Sequence, residues 1–263
     1  MVDLKINGLS FKYEKHPVFT DVNCIISKGE VVSVVGKNGA GKSTLLKCIN
    51  HILKPVKGNV YINDKIVAAL PQLERAKKIG YLSQQSEYLF PTTVFDVVLT
   101  GRFPHSPVRY TRQDEEIVAR ILADMELSEF SQRYFSHLSG GEQQQVLIAR
   151  ALAQGADVLL FDEPTNNLDL KHQLQIMRLI RTVAQEKQIT SIQAIHDLNL
   201  AAAFSDKIIL MHKGRIFKMG VPLDVLTREI ILECFDVHVK IYNHGGTPHI
   251  VMLESSETRP VEN

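Results

Sequence analysis

The stretch Gly36-Lys37-Asn38-Gly39-Ala40-Gly41-Lys42-Ser43-Thr44 fits G-x-x-x-x-G-K-[ST] and follows the apolar run "VVSVV". Polyphosphate needs backbone N–H groups turned inward, and side chains there would block its approach. Gly36, Gly39 and Gly41 would leave that room and allow unusual dihedrals. A helix starting at Lys42 would aim unpaired N–H groups at an anion. Lys42 would reach the β- and γ-phosphates, and Ser43 would ligate Mg²⁺. A second element, this one acidic, comes about 120 residues later in "VLLFDE", where Asp162 and Glu163 end an apolar run. Asp162 would hold Mg²⁺, and Glu163 would polarise an attacking water as general base.

Such groups need a strand before the phosphate loop, a helix after it, and a second strand beneath the acids. The sequence supplies these. "LKINGLSFKY", "NCIISKGEVVSVVG", "DVLLFDEP" and "ITSIQAIHD" read as strands, and "RAKKIGYLSQQ" contains a short one. "KSTLLKCINHIL" reads as a helix stopped before Pro55. "KGNVYINDKIV" and "KIILMHKGRIFKMG" read as hairpins turning at Asn63-Asp64 and Lys213-Gly214. Between Phe95 and Gln154 the pattern is mostly helical. "LDLKHQLQIMRLIRTVAQEK" and "LNLAAAFS" read as further helices. Alternation at both ends with a helical block between them predicts an α/β core with an inserted helical subdomain.

Composition bounds the rest. The 263 residues carry 44% hydrophobic and 22% charged residues, and a formal net charge of +1. No bulk field favours nucleic acid or acidic lipid. Cys24, Cys48 and Cys234 lack metal spacing and read as reduced core thiols. No apolar run approaches membrane-span length, and "MVDLKINGLSF" lacks the apolar core of a signal peptide. These features predict a cytoplasmic protein that meets a membrane only through a partner. His238, His244 and His249 fit no standard metal spacing, and "ESSETRPVEN" reads as a disordered tail.

"HLSGGEQQQVLIARAL" adds a second anion-ready helix start: Ser139 is a good N-cap, and Gly140 and Gly141 expose backbone N–H groups. With "LSGGE" between the phosphate loop and "LLFDE", and a lone histidine after them, the chain resembles the ATP-binding subunits of ABC transporters over nearly its whole length. The resemblance implies a P-loop NTPase (RecA-like) core with an antiparallel β subdomain and an inserted helical subdomain carrying the signature. It sets the nucleotide-binding core at 1–87 and 156–253, the helical subdomain at 88–155 and the tail at 254–263. It implies that Tyr13 stacks on adenine. Gln84 (with Gln85 adjacent) is implied to touch Mg²⁺ and water, and His196 the γ-phosphate. Asn167-Leu168-Asp169 would cross between subunits. Gln145 stands where the family often has a basic residue.

Family logic further implies a head-to-tail homodimer in which Ser139 and Gly141 of one copy complete the ATP site of the other. "TTVFDVVLTGRFPHSP", "HDLNLAAAFSDKIILMHKGRI" and "FDVHVKIYNHGGTPHIVML" resemble the importer ATPases for iron–siderophore, haem and vitamin B12. Their partners are polytopic permeases fed by a solute-binding protein, and the ATPase sits on the cytoplasmic membrane face. The surface from Gln84 to Arg109 is the expected docking site for the permease, to be probed by charge reversal at Arg102 or Arg109. The alternative for this stretch is a mobile proline-containing loop (Pro91, Pro104, Pro107). The other reading is a non-transport ATPase of the same core. Such machines usually carry a coiled-coil insertion or two motif sets with a basic linker, and this chain has neither.

Overall fold

The computed structural model describes residues 2–83 and 91–253. Strands β1 (Val2–Tyr13) and β2 (His16–Ser27) form a hairpin, and β3 (Val31–Val35) runs into the phosphate loop and helix α1 (Lys42–Ile49). Next come β4 (Lys57–Ile62), β5 (Lys65–Ile66), α2 (Gln72–Ala76) and β6 (Ile79–Leu82). Helices α3 (Val94–Leu99), α4 (Arg112–Asp124) and α5 (Gly140–Ala153) follow, then β7 (Val158–Asp162) and α6 (Leu170–Lys187). β8 (Thr190–Ala194), α7 (Leu198–Phe204), β9 (Lys207–His212) and β10 (Arg215–Gly220) complete the main sheet. The described chain ends with α8 (Pro222–Val225), α9 (Arg228–Phe235), β11 (Val239–His244) and β12 (Thr247–Met252).

Six strands lie in the order β10-β9-β3-β8-β7-β6, parallel except for β10. Parallel sheets need both faces covered, and the side chains alternate accordingly. Val158 and Leu160 of β7 join the core shared with α1 and the antiparallel sheet β2-β1-β4-β5. Leu159 and Phe161 point the other way, into the core built by α3, α4, α5 and α6. A third cluster joins α7, α9, β9 and β11. The α/β prediction therefore holds, and the two predicted hairpins turn where expected, with Asn63, Asp64, Lys213 and Gly214 all at positive φ.

Three details differ from the sequence reading. α1 stops at Ile49 instead of running to Leu53. Ile52 N–H donates to Lys47 O at 2.8 Å and His51 N–H to Cys48 O at 3.0 Å. That is a Schellman closure with His51 at φ 55 where glycine is usual, so the stop signal was hidden. β2 starts at His16 and so includes Pro17. A proline is tolerated there because β2 is an edge strand of its sheet. Residues 221–235, unassigned from sequence, form α8 and α9, the latter capped by Thr227.

Candidate nucleotide-binding and hydrolysis site

Strand register puts the chemistry on one sheet edge. Asp162 lies opposite Ala194, and Ala194 opposite Val34. The loops leaving β3, β7 and β8 therefore emerge side by side at the C-terminal ends of parallel strands, where open α/β sheets gather ligand groups. Tyr13, Val18, Asn38, Gly39, Gly41, Lys42, Ser43, Thr44, Glu163 and His196 line one cleft of about 560 Å³.

The loop's shape follows from its glycines. A β-carbon at Gly36 would stand 2.4 Å from Met211 O, so only glycine lets the loop pass over β9. Gly41 takes φ 96 to open α1, and a β-carbon there would meet Val18 at 2.9 Å. Buried Lys42 folds onto its own loop, with Nζ donating to Gly36 O at 2.9 Å and Lys37 O at 3.3 Å. Burial lowers the pKa of its ammonium, while Glu163 and Asp162 act to raise it. Among the described residues its hydrogen-bond partners are these carbonyls, which leave the ammonium available for an anion arriving at the loop.

Ser43 Oγ donates to Asp162 Oδ1 at 2.6 Å, and Tyr81 Oη to Asp162 Oδ2 at 2.9 Å. Burial, and then the Asp162 charge, push the Tyr81 phenol far above its ordinary pKa, so it stays a donor. Ser43 and Asp162 are thus a hydroxyl and a carboxylate in contact, the hard oxygen donors that suit Mg²⁺. Glu163 takes φ 56 directly after β7, and its backbone N–H donates to Ala194 O at 3.1 Å. That left-handed turn swings the side chain to the cleft, where Oε1 meets His196 Nε2. Asn166 Nδ2 donates to Oε2 at 3.2 Å. A carboxylate held by His196 and Asn166 at the lip of a phosphate loop is placed to orient a water.

The signature residues stand elsewhere. Ser139 and Gly140 are exposed at the start of α5 and do not line the cleft; neither does buried Gly141. Ser139 Oγ and Glu142 form a reciprocal capping box, so the helix start is preformed. Asp169 caps α6 away from the cleft. Gln84 lies outside the described residues. Sequence reading missed Val18, Tyr81 and Asn166. Tyr81 was readable only as a strand residue, because its partner lies 81 positions away.

One expected docking charge is corrected. Arg102 is not a surface handle: its side chain is 12% exposed, and Nε donates to Asp114 Oδ1 at 2.9 Å. Nη1 donates to Ala153 O at 2.8 Å, at the end of α5. Asp114 also accepts from Ser106 Oγ and from the Thr111 N–H and hydroxyl. Burial pushes its pKa up, but these donors together outweigh burial and hold the carboxyl far below the usual range. Arg109 is exposed, as expected of a contact residue.

A phosphate loop, an acidic strand end, a histidine and a separate capped "LSGGE" helix on one α/β core define a nucleotide-hydrolysing cassette. The family model described as ABC transporter matches residues 19–166. The chain is 44% identical over 250 residues to an uncharacterised ABC transporter ATP-binding protein of Methanocaldococcus jannaschii, covering 95% of this chain and 98% of that one. It is 38% identical over 255 residues to the iron(3+)-hydroxamate import ATP-binding protein of Bacillus subtilis, covering 96% and 95%. Among solved structures, an inward-facing conformation of a metal-chelate type ABC transporter superposes with a TM-score of 0.85 at 29% identity, over 98% of this chain and all of that one. A dimeric, post-hydrolysis ATP-binding cassette bound to ADP and Pi superposes with a TM-score of 0.71 at 31% identity, over 83% and 98%. The chain belongs to the ABC transporter ATP-binding family, and it is a transport-coupled ATPase.

Proposed function

We propose that this chain is the ATP-hydrolysing subunit of an importer for a metal chelate (an iron–siderophore, haem or cobalamin). It sits on the cytoplasmic face of the membrane through a polytopic permease that a solute-binding protein feeds. Among the described residues no helix is long and apolar enough to cross a membrane, so attachment through the permease fits. The observation that carries the reading is the split site: Glu163 and His196 meet over the Lys42 loop, while Ser139 and Gly140 lie exposed at the start of α5, off the cleft. Two copies packed head to tail would bring each turn to the other's cleft. The import name of the Bacillus subtilis relative and the metal-chelate transporter neighbour support the cargo class.

Within that reading each residue has a defined task. Tyr13, 49% exposed at the cleft mouth and edge-on to Phe11, offers a flat face to a base. Asn38, Gly39, Gly41 and Thr44 wrap the phosphates, and Lys42 leaves its carbonyls to pair with them. Ser43 and Asp162 would hold Mg²⁺, with Gln84 as a further oxygen donor. Bound Mg²⁺ neutralises charge on the phosphates. Glu163 takes the proton of the attacking water. His196, hydrogen-bonded to Glu163, fixes that carboxylate and faces the terminal phosphate. Ser139, Gly140 and Gly141 of the second copy close the cage, and Asp169 crosses beside it.

The test is a pull-down of tagged Glu163→Gln chain from solubilised native membranes with MgATP. An equal amount of one polytopic permease is expected. Ribosomes, DNA or soluble proteins in its place would make this a non-transport ATPase of the same family.

A further inference from the structure

The signature turn and the inter-subunit loop, two motifs 30 residues apart, touch within one chain through a residue that neither motif contains. Asp169 Oδ1 accepts from His172 N–H at 2.9 Å and contacts His172 Nδ1 at 2.7 Å. Both contacts come from the first turn of α6, so the ring has one orientation relative to the cap. Its opposite side lies on the signature helix. A β-carbon at Gly141 would stand 2.2 Å from His172 Cδ2 and 2.6 Å from Cγ. Gly141 is therefore glycine for a reason separate from anion binding: the imidazole occupies the space a side chain would fill. One residue earlier, Leu168 Cδ2 lies 3.8 Å from where a β-carbon of Gly140 would be. One residue later, Glu142 closes the cap on Ser139. Bonds from the Ser139 hydroxyl and N–H hold its carboxyl below the usual range against its partial burial.

We infer that His172 is a positioning residue that locks the Asp169 loop to the Ser139–Gly141 turn, so that the two move as one body. This rests on the head-to-tail dimer proposed above. There, the turn contacts the ATP held by the other copy, while Asp169 lies at the crossing between the two sites. A rigid link in cis means that closing one site shifts the loop serving the other. His172 thereby makes the two hydrolysis sites cooperative, and it touches neither nucleotide nor water itself.

The ring and its nitrogen can be separated. His172→Asn keeps a donor near Nδ1 but removes the ring from Gly141. His172→Phe keeps the ring and removes the donor. His172→Ala removes both. ATP hydrolysis is measured against ATP concentration for wild type and these variants, and the Hill coefficient is compared with the rate at saturation. Wild type is expected to have a coefficient above 1, approaching about 2 for two coupled sites. His172→Ala is expected to bring it to about 1 and raise half-saturation several-fold, with each single-feature variant intermediate. Binding of a fluorescent ATP analogue to the dilute variant chain, which reads only the Lys42 cleft, stays at the wild-type level and shows that the variant is folded. An unchanged Hill coefficient in His172→Ala overturns the inference while leaving the dimer standing. Failure of Glu163→Gln chains to pair on MgATP overturns the dimer and the inference with it.

Discussion

The Lys42 cleft and the Asp114 staple are built from the same kinds of side chain and serve opposite ends. Around Asp114, one carboxylate takes four side-chain and backbone donors, and Arg102 also donates from Nη1 to Ala153 O. Charge there is buried and fixed. In the cleft, among the described residues, Lys42 donates to carbonyls of its own loop, and Glu163 is held at the lip by His196 and Asn166. Charge there is positioned while its strongest partner, a phosphate chain, comes from outside. A charge buried and bonded within the fold marks structure; a charge aimed into an open cleft marks chemistry.

The comparison breaks most sharply at the cleft. Lys42→Ala and Glu163→Gln should each lower ATP hydrolysis by about 10²-fold or more with folding intact, as read by steady-state rates and circular dichroism. A variant that unfolds would put Lys42 among the structural charges.

At the staple the order reverses. Asp114→Ala strands a nearly buried guanidinium and should cost about 3–5 kcal/mol in urea unfolding, with nucleotide affinity unchanged. The pH dependence has a definite sign. A carboxyl whose folded pKa is depressed contributes fully above the ordinary aspartate value of about 3.9 and loses that contribution as pH falls below it. The wild-type advantage over Asp114→Ala should therefore be constant from neutral to mildly acid pH and shrink only in strong acid. An advantage that grew on acidification would contradict the hydrogen-bond account.

Tyr81 lies between the two cases, one hydroxyl donating to Asp162, the carboxylate proposed to hold Mg²⁺. Tyr81→Phe should cost about 1 kcal/mol at that contact, seen as a roughly fivefold rise in the Mg²⁺ needed for half-maximal hydrolysis. The smallest effect is expected at Arg109. Arg109→Glu should change stability by less than about 0.5 kcal/mol, which makes it a clean probe of permease docking where Arg102 would be a structural lesion.

What could be read beforehand tracks how local each constraint is. The phosphate loop was legible because every glycine and the lysine act within nine consecutive residues beside a strand and a helix. Asp162 and Glu163 were legible because β7 is buried on both faces and ends in charge. Arg102 was misread as a surface charge because its partner Asp114 sits across a loop, and proline and polar residues between them look like an exposed segment. α1 was overextended because a histidine fills the helix-stop position that glycine usually marks. The contact between His172 and Gly141 has no sequence signature: it depends on how α5 and α6 pack.

The claim at the centre is that the cleft is completed by a second copy. Light scattering on purified Glu163→Gln chain after size exclusion, with and without MgATP, tests it most directly. The account predicts a monomer without nucleotide and a dimer with MgATP, lost again when Ser139 is replaced by a bulky residue. A Glu163→Gln chain that binds MgATP and stays monomeric at every concentration tried would contradict it.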